Sequence, residues 1–420
     1  MEALFKKVFQ IIKTSNKEVD MVVYLADKLP EKALHELSGI GCTVRNEPGA
    51  TAADLDKGIG DAMVLIVRST KVTMECIKNS PNLTLIIRAG AGVNNIDQEA
   101  ASKYGIFVAN CPGQNSIAVA ELTMSLILSL DRFIPDNVSD FRNGVWNKAG
   151  YGKAEGLYGK TLGIIGTGQI GQHVIRRARA FGMPVVAWSR SLTPEKAELM
   201  DVTFAESVGD VASKCDILSI HLALKPDTRG IISGKVLAKL KDGAFFINTA
   251  RSEVVDEEAL YEELKSGRIK AGLDVFSEEP EHKKGEVKSR FQEMDNVYIT
   301  HHIGASTQQA QVAVAMDAID IVRGYIQEGV VRNWLNRCEQ TDAPWQLIVR
   351  HFDKPGVLAN VLAELKNAGI NAQEMENVIF DGKETACCTI QLDMKPDDTV
   401  VDAINKRHDE VITAVLVATG

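Results

Sequence analysis

The chain has 420 residues, of which 45% are hydrophobic and 25% are charged, and its net charge at pH 7 is −9. This composition predicts a globular protein of two or three domains, and the acidic balance disfavours nucleic acids and anionic membranes as partners. No apolar run approaches the roughly 20 residues that cross a bilayer. Seven scattered cysteines without a CxxC pair favour a reducing, cytoplasmic compartment and argue against a disulfide framework or a metal site.

Residues 1–19 are predicted to form an N-terminal extension. Apolar residues such as Leu4, Phe5 and Val8 recur at helical spacing, which indicates a short helix packed on the body of the protein. The apolar stretch is short, contains Glu2 and lacks arginine, so it fits neither a signal peptide nor a transit peptide.

From residue 20 onwards, short apolar runs alternate with helical segments, a pattern that predicts parallel α/β sheets. The strand-like runs of a first unit are MVVYLAD, AMVLIVRS, PNLTLIIRAG and YGIFVANCPG. One long helical stretch, SIAVAELTMSLILSLDRFIPDNVSDFRNG, leads to a second unit. Its strand-like runs are KTLGII, VVAWSRS, CDILSIHLAL, GAFFINTA, KAGLDVF and NVYITHHIG.

The C-terminal part has a different rhythm. A long helix is predicted at 307–329, and the polar stretch that follows it makes 331–344 the predicted linker. Residues 345–420 then read as strand, helix, two strands, helix and strand. This βαββαβ order predicts a separate ferredoxin-like module.

The segment GTGQIG follows a strand-like run and precedes a helical one. Gly166 permits the tight turn, Gly168 lets the backbone approach a pyrophosphate, and Gly171 lets helix and strand pack closely. We therefore predict a dinucleotide site at this turn, with Gln169 and Ile170 also in contact with the cofactor. The alternative is a glycine-rich turn without a ligand, which the strand–turn–helix context disfavours.

The end of the run VVAWSRS bears on the choice of cofactor. An acidic residue commonly binds the adenosine ribose there, but this chain has Ser189 and Arg190. Arg190 could pair with a 2′-phosphate, which would favour NADP. Alternatively, Arg190 stacks near the adenine and NAD is used, so the sequence predicts NAD or NADP.

Four polar residues follow predicted strands of the second unit, at the edge where ligands bind in such sheets. Arg251 follows a buried strand, where a charge is costly unless it meets an anion. His302 could exchange a proton near neutral pH, and a carboxylate from Asp274 or Glu279 could orient it. Each of them alone is more readily explained as structural, so the hypothesis of a catalytic site depends on their combination.

The motifs RAGAGVNNID, NCPGQNS, GTGQIGQ, HLALKPDTRG, NTARSEVVDEEAL, GLDVFSEEP and HHIGAST occur in the order seen in NAD-dependent D-2-hydroxyacid dehydrogenases. The chain resembles this family over roughly residues 20–330. The resemblance implies two Rossmann-like, doubly wound domains: a substrate-binding domain (20–117 and 300–330) and a dinucleotide-binding domain (118–299). Within the family the chain most resembles the phosphoglycerate dehydrogenases. This implies oxidation of D-3-phosphoglycerate to 3-phosphohydroxypyruvate, the first step of serine biosynthesis, by a homodimer or homotetramer.

The resemblance also implies roles for single residues. Arg251 would orient the substrate carboxylate, His302 would be the acid/base, Glu279 would partner His302, and Asp274 would contact the nicotinamide amide. His301 stands where the family usually has proline, and His302 is preferred because it directly precedes IGAST. Ala250 is a further predicted cofactor residue. The predicted substrate residues are Gly90, Ala91, Gly92 and Val93 as a backbone nest for the carboxylate, Asn115, and Arg68, Ser69 and Lys71 for the phosphate. For the last three, a solvated strand end is the alternative.

The C-terminal module resembles an ACT domain, a regulatory amino-acid-binding fold, through HFDKPGVL followed by GIN. The resemblance implies an effector site, for L-serine or another amino acid, at the interface of paired modules. His351, Asp353 and Asn371 match its positions, with Asp353 where the best-known serine sites have asparagine. The alternative is a module used only for oligomerisation.

Two other functions are compatible with the sequence. An NADPH-dependent glyoxylate or hydroxypyruvate reductase is favoured by WSRS and disfavoured by the C-terminal module. A non-enzymatic, dinucleotide-sensing corepressor has the same fold but lacks such a module, and enzymatic turnover would distinguish it.

Overall fold

The computed structural model describes residues 21–280, 285–338 and 343–419. The predicted N-terminal extension and part of the predicted linker, residues 339–342, therefore lie outside the described residues. Two parallel sheets and one antiparallel sheet organise the described chain, which confirms the predicted fold class. No helix in the described ranges is both long and apolar enough to cross a membrane.

The first sheet has five parallel strands in the order β2-β1-β3-β4-β5. This is a doubly wound order whose switch point lies between β1 and β3. The strands are β1 (Val22–Leu25), β2 (Thr43–Asn46), β3 (Val64–Val67), β4 (Leu85–Arg88) and β5 (Phe107–Asn110). The helices between them are Glu31–Ser38, Ala52–Leu55, Met74–Lys78 and Gln98–Lys103, and the long helix Gln308–Glu328 returns from the end of the second unit to pack on this sheet.

The second sheet has seven parallel strands in the order β12-β11-β10-β9-β6-β7-β8, which is the Rossmann order extended by one strand. Its switch point lies between β6 and β9. The strands are β6 (Leu162–Ile165), β7 (Val185–Trp188), β8 (Thr203–Phe204), β9 (Ile217–Ile220), β10 (Phe245–Asn248), β11 (Lys270–Leu273) and β12 (Val297–Ile299). The helices are Ser116–Arg132, Ile134–Arg142, Gln169–Ala180, Pro194–Leu199, Val208–Lys214, Gly234–Leu237 and Glu257–Lys265, with 3₁₀ turns at Gly150–Lys153 and Ser252–Val254.

The third sheet is antiparallel, in the order β14-β15-β13-β16, and it has the predicted ferredoxin-like topology. Its strands are β13 (Trp345–Phe352), β14 (Ala372–Ile379), β15 (Thr385–Leu392) and β16 (Val411–Ala418). Two helices, Val357–Asn367 and Asp398–Asn405, contribute Val361 and Ile404 to its core.

The long helix predicted after the first unit is two helices in the structure. Phe133 has φ of 53°, a left-handed conformation that interrupts the helical hydrogen bonds, and Pro135 lies in the first turn of the second helix. The first helix buries one face in the core of the second unit, whereas the second helix has no buried residue. The two helices have different environments, so one amphipathic pattern over the whole stretch could not reveal the break between them.

Part of the predicted linker packs on the first sheet. Leu335 donates its amide to the Val108 carbonyl at 2.8 Å, and the Asn336 side chain accepts from the Val108 amide at 2.9 Å. The Trp334 ring lies edge-on to Phe107, with 4.8 Å between ring centroids. The segment therefore covers the free edge of β5, which is favourable because it satisfies otherwise unpaired backbone groups.

Candidate active site

The glycine-rich turn has the geometry that a bound dinucleotide requires. Gly166 has φ of 100°, and a Cβ at this position would collide with the His221 carbonyl. A Cβ at Gly171 would collide with the Gly166 carbonyl, so this glycine allows helix Gln169–Ala180 to approach β6. Gly168 is different, because a Cβ there would meet no protein atom within 4 Å. Its lack of a side chain leaves space beside the helix N-terminus, where a pyrophosphate would bind.

The two residues after β7 lie at the same edge of the second sheet. Ser189 is half-buried, and the Arg190 guanidinium is exposed and forms an ion pair with Asp227. Asp227 belongs to the loop after β9, the neighbour of β6 across the switch point. Since such exposed pairs are weak, Arg190 could exchange Asp227 for a phosphate at little cost.

Arg251 lies between the two parallel-sheet units. Asn248 holds its loop: the Asn248 side chain donates to the Arg251 carbonyl at 2.9 Å and accepts from the Ala250 amide at 3.0 Å. The guanidinium lies so close to Gly92 that a Cβ there would collide with it. This places the predicted carboxylate-binding arginine of the second unit against the predicted backbone nest of the first.

His302 and Glu279 form the pair that the sequence suggested. His302 Nδ1 lies 2.8 Å from Glu279 Oε2, and the other Glu279 oxygen accepts from the Phe276 amide at 3.1 Å. The hydrogen bond with Glu279 raises the pKa of His302, while burial and the charge of Arg251 work in the opposite direction. Because a carboxylate oxygen can only accept, Nδ1 carries the proton in this pair, and Nε2 of neutral His302 is then an acceptor.

Asp274 is 1% exposed, and both its oxygens bond to the loop that carries His302. Oδ1 accepts from the Thr300 hydroxyl at 2.6 Å and from the Ile303 amide at 2.8 Å, and Oδ2 accepts from the Gly304 amide at 2.8 Å. This carboxylate thus fixes the backbone around His302. The contact with a nicotinamide amide stays a prediction.

An unexpected cation lies between the predicted ones. Arg88, the last residue of β4, has a buried Nε without a hydrogen-bond partner, and a Cβ at Gly90 would collide with its guanidinium. Burial and the charges of Arg251 and Arg68 lower the pKa of Arg88 to about 10. A charged residue at the end of a buried strand was the available signal, and it is close to the one that singled out Arg251.

Two cavities meet at these cations. One of about 160 Å³ is lined by Arg68, Ser69, Arg88, His302 and also by Lys28. The other, of about 420 Å³, shares those residues except Lys28 and extends to Gly92, Arg251 and Glu279. Anionic groups at the two ends of one small molecule could therefore each meet an arginine while the middle lies at His302.

The other predicted substrate residues are placed unevenly. Asn115 lines the smaller cavity, whereas Lys71 is exposed and lines neither cavity. The amide of Gly90 already donates to the Arg88 carbonyl at 2.7 Å. In this conformation it is therefore not available to a carboxylate in the predicted nest. Ala91 accepts from the Asn110 side chain, and Val93 packs on the core of the first unit.

One copy of the C-terminal module does not bring the three predicted effector residues together. His351 and Asp353 lie at the end of β13, whereas Asn371 precedes β14, whose first residue is level with the start of β13. Strands rise about 3.3 Å per residue, so about 20 Å separates the two ends. His351 is 2% exposed, and its ring nitrogens lie 2.8 Å from the Phe352 carbonyl and 3.1 Å from Asn377 Oδ1.

Known proteins share this architecture. Residues 124–304 match the family described as D-isomer specific 2-hydroxyacid dehydrogenase, NAD binding domain. The D-3-phosphoglycerate dehydrogenase of Methanocaldococcus jannaschii is 39% identical over 370 residues, which are 86% of this chain and 67% of the relative. The hydroxypyruvate reductase of Thermotoga maritima is 43% identical over 277 residues, 64% of this chain and 86% of the relative. The solved structure of NAD⁺-bound 3-phosphoglycerate dehydrogenase from Entamoeba histolytica is 28% identical, with a TM-score of 0.61, and covers 76% of this chain and 99% of that one.

Proposed function

Since the chain belongs to the D-isomer specific 2-hydroxyacid dehydrogenases, we propose that it oxidises D-3-phosphoglycerate to 3-phosphohydroxypyruvate with a nicotinamide dinucleotide. The observation that carries the choice of substrate is the cluster of Arg68, Arg88 and Arg251 around His302, with Lys28 nearby. One carboxylate does not need so many cations, whereas a molecule that also bears a phosphate does.

We propose one protein group for each part of the substrate. Arg251 binds the carboxylate, and Arg68 and Arg88 bind the phosphate in the smaller cavity. The C2 hydroxyl then lies at His302, whose Nε2 accepts its proton while Glu279 stabilises the imidazolium that forms. The dinucleotide, bound at the turn Gly166–Gly171, supplies a hydride acceptor at the nicotinamide C4.

The test of this function is a spectrophotometric comparison of substrates. Purified protein is given D-3-phosphoglycerate or D-glycerate with NAD⁺ or NADP⁺, and 3-phosphohydroxypyruvate or hydroxypyruvate with the reduced cofactors. We expect the larger kcat/KM for the phosphorylated member of each pair. A preference for the unphosphorylated acids would overturn the assignment of the phosphate.

Hydroxypyruvate reduction is the second candidate function, because of the 43% identity to a hydroxypyruvate reductase. Arg251, Glu279 and His302 would serve both reactions equally, since both substrates are 2-oxo or 2-hydroxy acids. The two candidates differ only at the third carbon, which the same comparison of substrates examines. Activity with neither acid in either direction would favour the binding function of a corepressor.

Replacing Glu279 by glutamine should shift the pH profile of the oxidation. The reaction needs neutral His302, so kcat/KM rises as the pH passes through the pKa of this histidine. Glu279 raises that pKa, and its removal lowers it. We expect the acid limb of kcat/KM in Glu279→Gln to move to lower pH, with a lower plateau. Glu278→Gln is the matched control, and an unchanged midpoint in Glu279→Gln would contradict the assignment.

Replacing Arg190 by alanine tests how the cofactor is selected. A phosphate–guanidinium contact is absent with NAD⁺, so we expect Arg190→Ala to raise the KM for NADP⁺ about tenfold and that for NAD⁺ much less. Arg179→Ala removes another exposed arginine, one paired with Asp201, and serves as the control. Equal effects on both cofactors would show that Arg190 does not recognise the 2′-phosphate.

For the C-terminal module we propose amino-acid binding between two copies of the chain. The support is that His351 and Asn371 lie at opposite ends of one module, so that a single site containing both needs a second module. The family resemblance suggests L-serine as the effector and a homodimer or homotetramer as the assembly. Inhibition by L-serine, with equilibrium sedimentation in its presence and absence, tests both points.

A further inference from the structure

Asp27 is a buried acid beside the two cavities that Arg68 and Arg88 line. It follows β1, is 5% exposed, and accepts four hydrogen bonds from one loop. Its Oδ2 accepts from three consecutive amides, those of Arg68 at 2.7 Å, Ser69 at 2.9 Å and Thr70 at 2.9 Å. Its Oδ1 accepts from the Ser69 hydroxyl at 3.0 Å. Successive amides that converge on one anion form a nest, and here a side chain of the protein occupies it.

The position of this contact in the sheet connects it to the site. β1 and β3 are neighbours at the switch point of the first sheet, where the loops after the two strands diverge and leave a crevice. Asp27 spans that crevice and ties the loop after β3 to the end of β1. The tied loop supplies Arg68 and Ser69 to both cavities, and the residue after Asp27, Lys28, lines the smaller one.

Asp27 remains a carboxylate despite its burial. Burial alone would raise the pKa of Asp27, but the hydrogen bonds from the amides of Thr70, Arg68 and Ser69 outweigh it and the pKa is lowered. A negative charge so close to Arg68 and Arg88 opposes the binding of an anionic substrate by Coulomb repulsion. We therefore expect the Asp27 carboxylate to make a contribution to the site that outweighs this repulsion.

We propose that Asp27 is a positioning residue, which holds the loop Arg68–Thr70 in the shape that presents Arg68 to the substrate phosphate. The inference rests on the proposed function for the identity of the phosphate. Asparagine at position 27 offers one acceptor oxygen and one NH₂ donor in place of two acceptor oxygens, so it cannot accept all four hydrogen bonds of the loop. The loop then relaxes, and Arg68 is no longer fixed against the phosphate.

The kinetic test separates positioning from charge, because the two predict opposite changes. If Asp27 positions Arg68, Asp27→Asn raises the KM for D-3-phosphoglycerate by about tenfold, while kcat and the kcat/KM for D-glycerate change by less than about twofold. If only its charge mattered, Asp27→Asn would lower the KM for the phosphorylated substrate. A lowered or unchanged KM, or an equal loss with D-glycerate, would overturn the proposal.

A matched control accounts for a general loss of stability. Asp216 accepts from the Thr161 amide at 2.7 Å and pairs with Lys241, at the end of the strands opposite to the site. Asp216→Asn removes another carboxylate that accepts from a backbone amide, and its KM values should match those of the wild type. Asp27→Glu keeps the charge but displaces the carboxylate by a methylene, so its KM should also rise, and it replaces Asp27→Asn should that variant not fold.

Hydrogen–deuterium exchange distinguishes failure of this proposal from failure of the proposed function. The amides of 68–70 should be protected in the wild type and exchange faster in Asp27→Asn, whatever the substrate is. The wild type could prefer D-glycerate while Asp27→Asn still exchanges faster at these amides. That result would contradict the proposed function, but it would support the contact between Asp27 and the loop. Unchanged exchange would contradict the proposal itself.

Discussion

His302→Asn should lower kcat for D-3-phosphoglycerate by about 10²- to 10⁴-fold, the range that removal of a positioned general base produces. Asparagine is the informative replacement for a structural reason. His302 has φ of 50°, a left-handed conformation that asparagine adopts more readily than most residues. The loop that Asp274 holds through the amides of Ile303 and Gly304 should therefore keep its shape. The loss then reports the missing base and not a displaced backbone.

The KM should change little, because the proposed substrate ligands Arg251, Arg68 and Arg88 are all retained in this variant. A primary isotope effect measured with 2-deuterated substrate should approach its full value, since proton and hydride transfer become rate-limiting. His301→Asn is the matched control, because His301 is the adjacent histidine and Glu279 bonds to His302 instead. Normal turnover of His302→Asn, or an equal loss in His301→Asn, would show that the base lies elsewhere.

The parts of this site that the sequence predicted are those whose signal is local. The turn Gly166–Gly171 could be recognised because a strand, three spaced glycines and a helix are contiguous. Most strands of the two parallel sheets were recognised because buried parallel strands are short apolar runs. β2 (Thr43–Asn46) was missed because it is a polar edge strand, and β8 (Thr203–Phe204) because two residues carry no pattern.

The parts that the sequence left open depend on contacts between distant segments. Asp27 and Arg68 are 41 residues apart, and only the order of β1 and β3 in the sheet makes them neighbours. Arg88 is similar: its position at a strand end was a local signal, but its proximity to Arg251 depends on how the second unit lies against the first. His351 is a third case: its match to an effector position stays a prediction, and the sequence did not reveal that its ring is buried and bonded to Asn377 within the module.

Arg251→Lys should lower kcat/KM for D-3-phosphoglycerate by about 10²- to 10³-fold, although the positive charge is kept. A guanidinium can donate two parallel hydrogen bonds to a carboxylate, whereas an ammonium on a flexible stem is a point charge. A loss of 10²- to 10³-fold corresponds to about 2.8–4.2 kcal/mol, which lies within the roughly 2–5 kcal/mol that disruption of a buried, hydrogen-bonded charge pair costs. The guanidinium also lies against Gly92. An ammonium is smaller than a guanidinium, so Arg251→Lys would leave this end of the cleft unfilled.

The loss should divide between the two kinetic constants in a way that identifies the role of Arg251. Misplacement of C2 relative to His302 lowers kcat, and weaker binding of the carboxylate raises KM, so both constants should change. In contrast to Asp27→Asn, the loss should be equal for D-3-phosphoglycerate and D-glycerate, because both substrates carry the carboxylate. Arg350→Lys, at an exposed position of β13, is the control. A loss confined to the phosphorylated substrate would place the phosphate at Arg251 and reverse the orientation of the substrate in the cleft.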